Sequence, residues 1–268
     1  MPFTPSHALV ALPFVRTPLV PAAIAIGAMT PDLPLFLRGV GPTYGFTHSA
    51  ANVVWTALIA LVLFTLWRVV LRPALVMLAP DAVAARMPRE WLRSDGQALR
   101  GLVTPRSGES RAVAGALLAA SLVLGVLSHI AWDMFTHEGR WGVVTLTALQ
   151  QPWGPLPWYK WLQRGSGVIG LLALALYGVL WGRRRPVARR PRMLPTPLRW
   201  VWYLTLPTAL ITGWSIGLVR FGPPGQALTL QQFAYRTLPP ACGVWGAMTL
   251  VLCVVVVLTA TRRPAHAA

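Results

Sequence analysis

Apolar side chains run along this chain in long unbroken blocks, not in the alternation of a half-buried strand or the stripe of a surface helix. Four blocks carry no charged residue at all: Ala50–Trp67, Gly165–Gly182, Trp200–Val219 and Thr237–Thr261. A fifth, Ala112–Trp132, is interrupted only by His129 and leads straight into Asp133. Coiled as helix at about 1.5 Å per residue, each block is long enough to cross roughly 30 Å of hydrocarbon. The pattern predicts an all-α fold, a polytopic transmembrane helix bundle of about five spans.

The first forty residues read differently. Phe3–Val15 and Pro18–Thr30 are apolar but are broken by Pro5, Pro13, Pro18 and Pro21. Each piece would reach only about 20 Å as helix, short for a span. A re-entrant or interfacial helical hairpin is expected, with a single merged span as the alternative. No positively charged stretch precedes these residues, which argues against a cleaved signal peptide. The chain is expected to form one integral membrane domain over 1–268. Its parts are the hairpin with its motifs in 1–49, two spans in 50–135 around a basic loop at 73–111, a Trp/Pro-rich loop at 136–164, three spans in 165–261, and a tail at 262–268.

Composition agrees with the block pattern. Hydrophobic residues make up 55% and charged residues 12% of the 268, and mean hydropathy is +0.55, values that belong to a membrane protein. The net charge of +17, with Lys160 the single lysine among 24 basic residues, would point to nucleic acid in a soluble chain. Its distribution points elsewhere. Arg183, Arg184, Arg185, Arg189, Arg190, Arg192 and Arg199 crowd one loop. Arg86, Arg89, Arg93, Arg100, Arg106 and Arg111 occupy another, and Arg262 and Arg263 the tail. This is a positive-inside signal, placing those segments and the C-terminus in the cytoplasm, with attraction to anionic headgroups alongside it. The partner expected is the lipid bilayer, not nucleic acid. Cys242 and Cys253 form no short paired motif and lie near no histidine, so apolar packing accounts for them.

Against this background the polar motifs stand out: Ser6-His7, Pro31-Asp32, Thr47-His48-Ser49, and Ser128-His129 leading to Asp133 and Thr136-His137. Ionisable groups in apolar surroundings are costly and mark functional sites by default. Imidazole and carboxylate together suit a divalent metal ion such as zinc or manganese. With the basic loops inside, His48 stands at the outer mouth of the first span, and His129, Asp133 and His137 line the outer end of the second. A shallow hairpin in the outer leaflet would bring His7 and Asp32 to the same place. His129, Asp133 and His137 follow one another at i, i+4 and i+8, along one helix face. That is the spacing by which two histidines of H-E-x-x-H grip one zinc. The expected metal ligands are therefore His7, Asp32, His48, His129, Asp133 and His137, with Asp32 or Asp133 taking a proton if not spent on the metal. Thr47, Ser49, Ser128 and Thr136 flank the ligands and could orient the imidazoles, while Thr47 or Ser49 could equally cap the following helix.

Each motif also has an ordinary reading. His7 and His137 can be satisfied interfacial groups, and Asp32 can serve the turn after Pro31. Glu138 is a general base or a solvated loop carboxylate. Trp141, Trp153, Trp158 and Trp161, interleaved with Pro152, Pro155 and Pro157, form an aromatic belt or a lid over an amphiphilic substrate. His266, in the tail, carries no chemistry.

The opening Met1-Pro2 with His7, then Pro31-Asp32, then Thr47-His48-Ser49, then His129 and Asp133 ahead of Thr136-His137, resembles the LexA-regulated, membrane-bound metal-dependent hydrolases of bacteria. A related family of uncharacterised bacterial integral membrane proteins resembles the chain more closely. It shares the start Met1-Pro2-Phe3-Thr4-Pro5-Ser6-His7 and the segment Tyr159-Lys160-Trp161-Leu162-Gln163-Arg164-Gly165-Ser166. The likeness is good over roughly 1–50 and 125–170, and elsewhere extends only to hydrophobic spans. In the hydrolases the middle motif usually reads His-Arg-Gly-x-Thr-His-Ser, whereas Tyr44-Gly45-Phe46 precedes Thr47 here and the first histidine is missing. The resemblance implies a metal-dependent hydrolase of the bacterial cytoplasmic membrane. The arginine distribution places its site on the extracytoplasmic side, and a site opening at the interface makes a lipid or other membrane-borne ester or phosphoester the expected substrate. The alternatives are a non-catalytic protein with a structural His/Asp metal or hydrogen-bond cluster, and a transporter using the cluster as a relay. Four of the five blocks hold nothing ionisable, which disfavours a relay through the membrane depth. The chain has no phosphate-cradling glycine loop, nucleophile elbow or haem-attachment motif.

Overall fold

The computed structural model describes residues 4–92, 98–99, 101–103, 105, 108–188 and 194–261. Met1, Pro2 and Phe3, with Arg93, Arg100, Arg106, Arg189, Arg190, Arg192, Arg262, Arg263 and His266, lie outside the described residues. The described residues are mainly helical, with one two-strand hairpin, and among them five helices are long and apolar enough to cross a membrane: Ala50–Leu78, Arg111–Thr145, Trp158–Arg183, Thr196–Phe221 and Leu230–Thr259. Helix is the form that pairs every backbone group inside the segment, as hydrocarbon requires.

The helices outrun the charge-free blocks. The first continues past Trp67 through Arg68 and Arg72 to Leu78. Pro73 has no N–H to offer the ladder, and the turn ahead of it widens into a π-helix over Trp67–Leu71. The last helix likewise begins at Leu230, ahead of Arg236. The ends of the charge-free blocks therefore mark composition and not helix ends.

We name Pro21–Met29 α1, Ala50–Leu78 α2, Arg111–Thr136 α3, Trp158–Arg183 α4, Thr196–Phe221 α5 and Leu230–Thr261 α6. The chain divides into two compact units. The first comprises Met1–Leu33, Pro42–Thr65 and Arg100–Arg184, the second Pro34–Gly41, Leu66–Leu99 and Arg185–Ala268.

In the first unit a 3-10 helix, Thr4–Phe14, precedes α1. α1 crosses α3 at two facing glycines. A Cβ on Gly27 would meet the Leu122 carbonyl oxygen at 2.5 Å, and one on Gly125 would strike the Ile24 carbonyl oxygen and the Ala28 nitrogen. Only residues without side chains let the two backbones come this close. The start of α1 is tied to the same helix, because Val20 N donates to Ser121 Oγ at 2.9 Å. The 3-10 helix rests on α4, where a Cβ at Gly170 would lie 2.9 Å from the Ser6 Cβ. α3 itself is started by Ser110, whose hydroxyl accepts from Val113 N at 3.2 Å.

In the second unit α5 and α6 pack through small residues, with Gly213 against Ala241 and Gly217 against Thr237 and Phe233. Ala74, Leu78, Cys253 and Val257 form one buried apolar cluster there. Cys253 thus serves as packing, as its isolation in the sequence implies. Arg199 donates to Asp81 Oδ1 at 2.6 Å and to Ala79 O at 3.0 Å, and Tyr203 to Leu78 O at 2.5 Å.

Candidate metal centre

All six predicted ligands belong to the first unit. His48, His129, Asp32 and Asp133 are buried, none more than 4% exposed. Four of their atoms converge. His48 Nε2 and His129 Nε2 are 3.1 Å apart. Asp133 Oδ2 lies 3.5 Å from the first nitrogen and 3.4 Å from the second. Asp32 Oδ1 lies 3.7 Å from each.

The crossing of α1 and α3 sets this geometry. It places the Ala28 carbonyl 2.7 Å from His129 Nδ1, and the Tyr44 carbonyl is 3.0 Å from His48 Nδ1. A carbonyl oxygen only accepts, so both Nδ1 atoms carry the proton and both Nε2 atoms present lone pairs. Two lone pairs facing each other at this distance require a cation between them, a shared proton or a metal ion. Asp32 is oriented in the same sense. Thr4 Oγ1 donates to its Oδ2 at 2.7 Å, and its buried Oδ1 has no hydrogen-bond partner.

His7, carried by the 3-10 helix, stacks on the His129 ring with centroids 4.0 Å apart. His7, His129 and Asp133 each bring a ligand atom within 4.8 Å of the others, as do Asp32, His48 and His129. The Nε2 of His7 is buried and has no hydrogen-bond partner. Burial first, then the neighbouring His129, hold its pKa down to about 3, so the ring is neutral with its lone pair free at ordinary pH. Burial pushes the Asp32 carboxyl up, against the downward pull of His129 and of the Thr4 hydroxyl.

His137 stands apart from the four converging atoms. The Gln163 amide lies 3.0 Å from its Nε2, while Lys160 donates to the amide oxygen at 3.5 Å, so the amide N–H faces the ring. Nδ1 of His137 then carries the proton and meets Asp133 Oδ1 at 3.3 Å. His137 thus stands beside Asp133 without hydrogen-bonding to it, because Asp133 Oδ1 is buried with no hydrogen-bond partner among the described residues.

The flanking hydroxyls divide. Thr47 donates to Pro31 O at 2.7 Å and stands 3.3 Å from His48 Nδ1, joining the Pro31-Asp32 turn to the histidine. Neither Thr47 nor Ser49 makes a helix-capping side-chain bond; Thr43 does, accepting from Phe46 N at 3.2 Å. Tyr44 stacks on His48 with centroids 3.7 Å apart. Ser128 bonds back to Gly125 O within its own helix. Thr136 lies 3.2 Å from His137 Nδ1.

Outside the cluster, Glu138 accepts from the Tyr159 hydroxyl at 3.2 Å. Trp153 and Trp158 stack at 4.6 Å, with Trp161 edge-on to Trp153, about a two-strand hairpin pairing Pro152–Trp153 with Leu156–Pro157.

Thr4 and Gln163 are the polar groups that reading the motifs singly passes over. Both lie inside the two segments quoted for the family resemblance. Gln163, 1% exposed in an apolar helix, is the kind of uncharged amide that burial forces to find a partner.

No curated protein and no solved structure matches the chain. Residues 1–258 match the family described as a domain of unknown function (DUF4184), and with nearly its whole length matched, this helical chain with its five candidate spans and buried His/Asp cluster belongs to that family.

Proposed function

We propose that the cluster binds a divalent metal ion and that the protein is a membrane-embedded, metal-dependent hydrolase of a lipid or other membrane-borne ester or phosphoester. One observation carries the metal. The two Nε2 atoms, Asp32 Oδ1 and Asp133 Oδ2 are separated by 3.1–3.7 Å along the five measured edges. Four tetrahedral ligands at about 2.0–2.2 Å from one ion stand about 3.3–3.6 Å apart. A single shared proton would satisfy the histidine pair but leave Asp32 Oδ1 without a partner. The donor set, imidazole and carboxylate, suits zinc or manganese.

A bound ion of this kind lowers the pKa of coordinated water towards about 7 and polarises a scissile ester or phosphoester. The protein's own groups do the rest. Hydrolysis would need one corner of the tetrahedron open to water, so both histidines and one of Asp32 and Asp133 would hold the ion while the other carboxylate accepts the proton. Ala28 and Tyr44 would hold the histidine tautomers, and Thr4 would aim Asp32. The likeness to membrane-bound metal-dependent hydrolases supports hydrolysis as the reaction. The positive-inside distribution supports a bacterial cytoplasmic-membrane location, with the site on the extracytoplasmic side and the C-terminus in the cytoplasm.

A second reading, a structural metal without turnover, is favoured by the near-complete burial of the four converging residues. Elemental analysis of the detergent-purified protein tests both. We expect stoichiometric metal in the parent and its loss in His129→Ala and Asp133→Ala. A parent without metal, or variants that keep it, would defeat the proposal. Metal-dependent cleavage of lipid esters or phosphoesters then separates the enzyme from the structural site.

A further inference from the structure

Three arginines of the second unit gather without a carboxylate partner among the described residues. Arg38, Arg220 and Arg236 line one cavity of about 520 Å³. Arg38 donates to Tyr235 O at 2.6 Å and lies over the Tyr235 ring. Arg220 and Arg236 both approach the Phe221 ring, at 5.6 and 5.7 Å. Main chain and aromatic faces therefore fix these guanidiniums, and none pairs with a carboxylate among the described residues. Three like charges around one cavity repel one another unless an anion joins them.

The positive-inside rule does not account for them. Arg220 and Arg199 lie on the same helix, α5, and their sequence separation puts them about 32 Å apart along its axis. Arg199 marks the end next to the basic loop, so Arg220 stands at the opposite membrane face.

An apolar groove continues from the cavity. A second cavity of about 550 Å³ runs along α5 and α6 past Leu204, Thr208 and Met248. It shares Gly213, Ile216, Ala241 and Val244 with the arginine-lined one. The groove exists because Gly213 and Ala241 keep the helix seam free of large side chains. From Val201 to Arg220 it follows α5 for about 28 Å, longer than the roughly 20–22 Å of one leaflet with its headgroups, so a single lipid fits along it.

We propose that this site binds an anionic phospholipid, its phosphate between Arg38, Arg220 and Arg236 and an acyl chain in the groove between α5 and α6. Guanidinium groups match phosphate oxygens in forked pairs, and a membrane-facing groove supplies the apolar half of the ligand. This site goes beyond the His/Asp reading and does not depend on it.

The test is binding of fluorescent short-chain phosphatidylglycerol to the full chain in neutral detergent, with phosphatidylcholine of the same tails and inorganic phosphate as competitors. The triple variant Arg38→Gln/Arg220→Gln/Arg236→Gln should weaken binding at least tenfold. Val244→Trp, which fills the groove and leaves the charges, should weaken it at least threefold. Circular dichroism establishes that both variants are folded, and Val244→Trp decides the matter alone if the triple variant is not. Phosphatidylcholine should compete at least tenfold less well than unlabelled phosphatidylglycerol, and millimolar phosphate should compete weakly. Undiminished binding by folded variants would overturn the proposal. So would equal competition by phosphatidylcholine, or displacement by phosphate alone, which would mark a free-anion site.

Discussion

His48 Nε2 and His129 Nε2 face each other at 3.1 Å across a sequence separation of 81 residues, with both opposite ring nitrogens committed to main-chain carbonyls. Main-chain carbonyls set both ring tautomers, while Tyr44 stacks on His48 and His7 on His129.

The group that aims a ligand should matter almost as much as the ligand. Thr4→Val removes the hydroxyl on Asp32. It should weaken metal affinity about 10–100-fold with the helical content unchanged. Titration of metal into chelator-treated protein, followed by calorimetry, measures this; affinity equal to the parent's would show that the hydroxyl does not orient the site.

Chelation should destabilise the first unit. Without a cation, two carboxylates and three imidazoles are left facing one another in a buried cluster. Metal at a hundredfold above its dissociation constant contributes about 2.7 kcal/mol. Thermal melts in detergent should therefore shift downward with chelator and recover on adding back zinc or manganese. A melting temperature indifferent to both would argue against any bound ion.

Gly125→Ala should damage fold and site together. The new methyl group meets the Ile24 carbonyl and the Ala28 nitrogen, both backbone, so the helices must part. Overpacking of this kind costs about 1–3 kcal/mol. The same separation draws the Ala28 carbonyl from His129 Nδ1, so metal content should fall as well. Gly178→Ala, where a Cβ meets nothing within 4 Å, is the matched control and should behave as the parent.

Orientation is testable by reporters that are active on one side of the membrane only. A fusion after Arg192 should report the cytoplasm, and an insertion near Gly154 the outside, as the arginine distribution requires. The reverse pattern would invert the proposed placement of the site.

What the sequence determined by itself is what local chemistry determines. Runs such as Ala50–Trp67 and Thr237–Thr261 can meet hydrocarbon only as helix, and the four-residue spacing of His129 and Asp133 puts both on one face before any packing is known. It also marked His7, Asp32 and His48, because ionisable groups are conspicuous among apolar neighbours. Helix ends were less legible, since Arg68, Arg72 and Arg236 are tolerated inside continuous helices. Tertiary structure alone decided how the polar groups are used. The close approach of Gly27 and Gly125 chooses the carbonyl that accepts from His129 Nδ1. Gln163, from another helix, takes the Nε2 of His137, and Thr47 reaches the Pro31 carbonyl. These are hydrogen bonds and contacts whose partners come from other helices or turns, and a side chain's spacing along its own helix carries no record of which carbonyl will reach it.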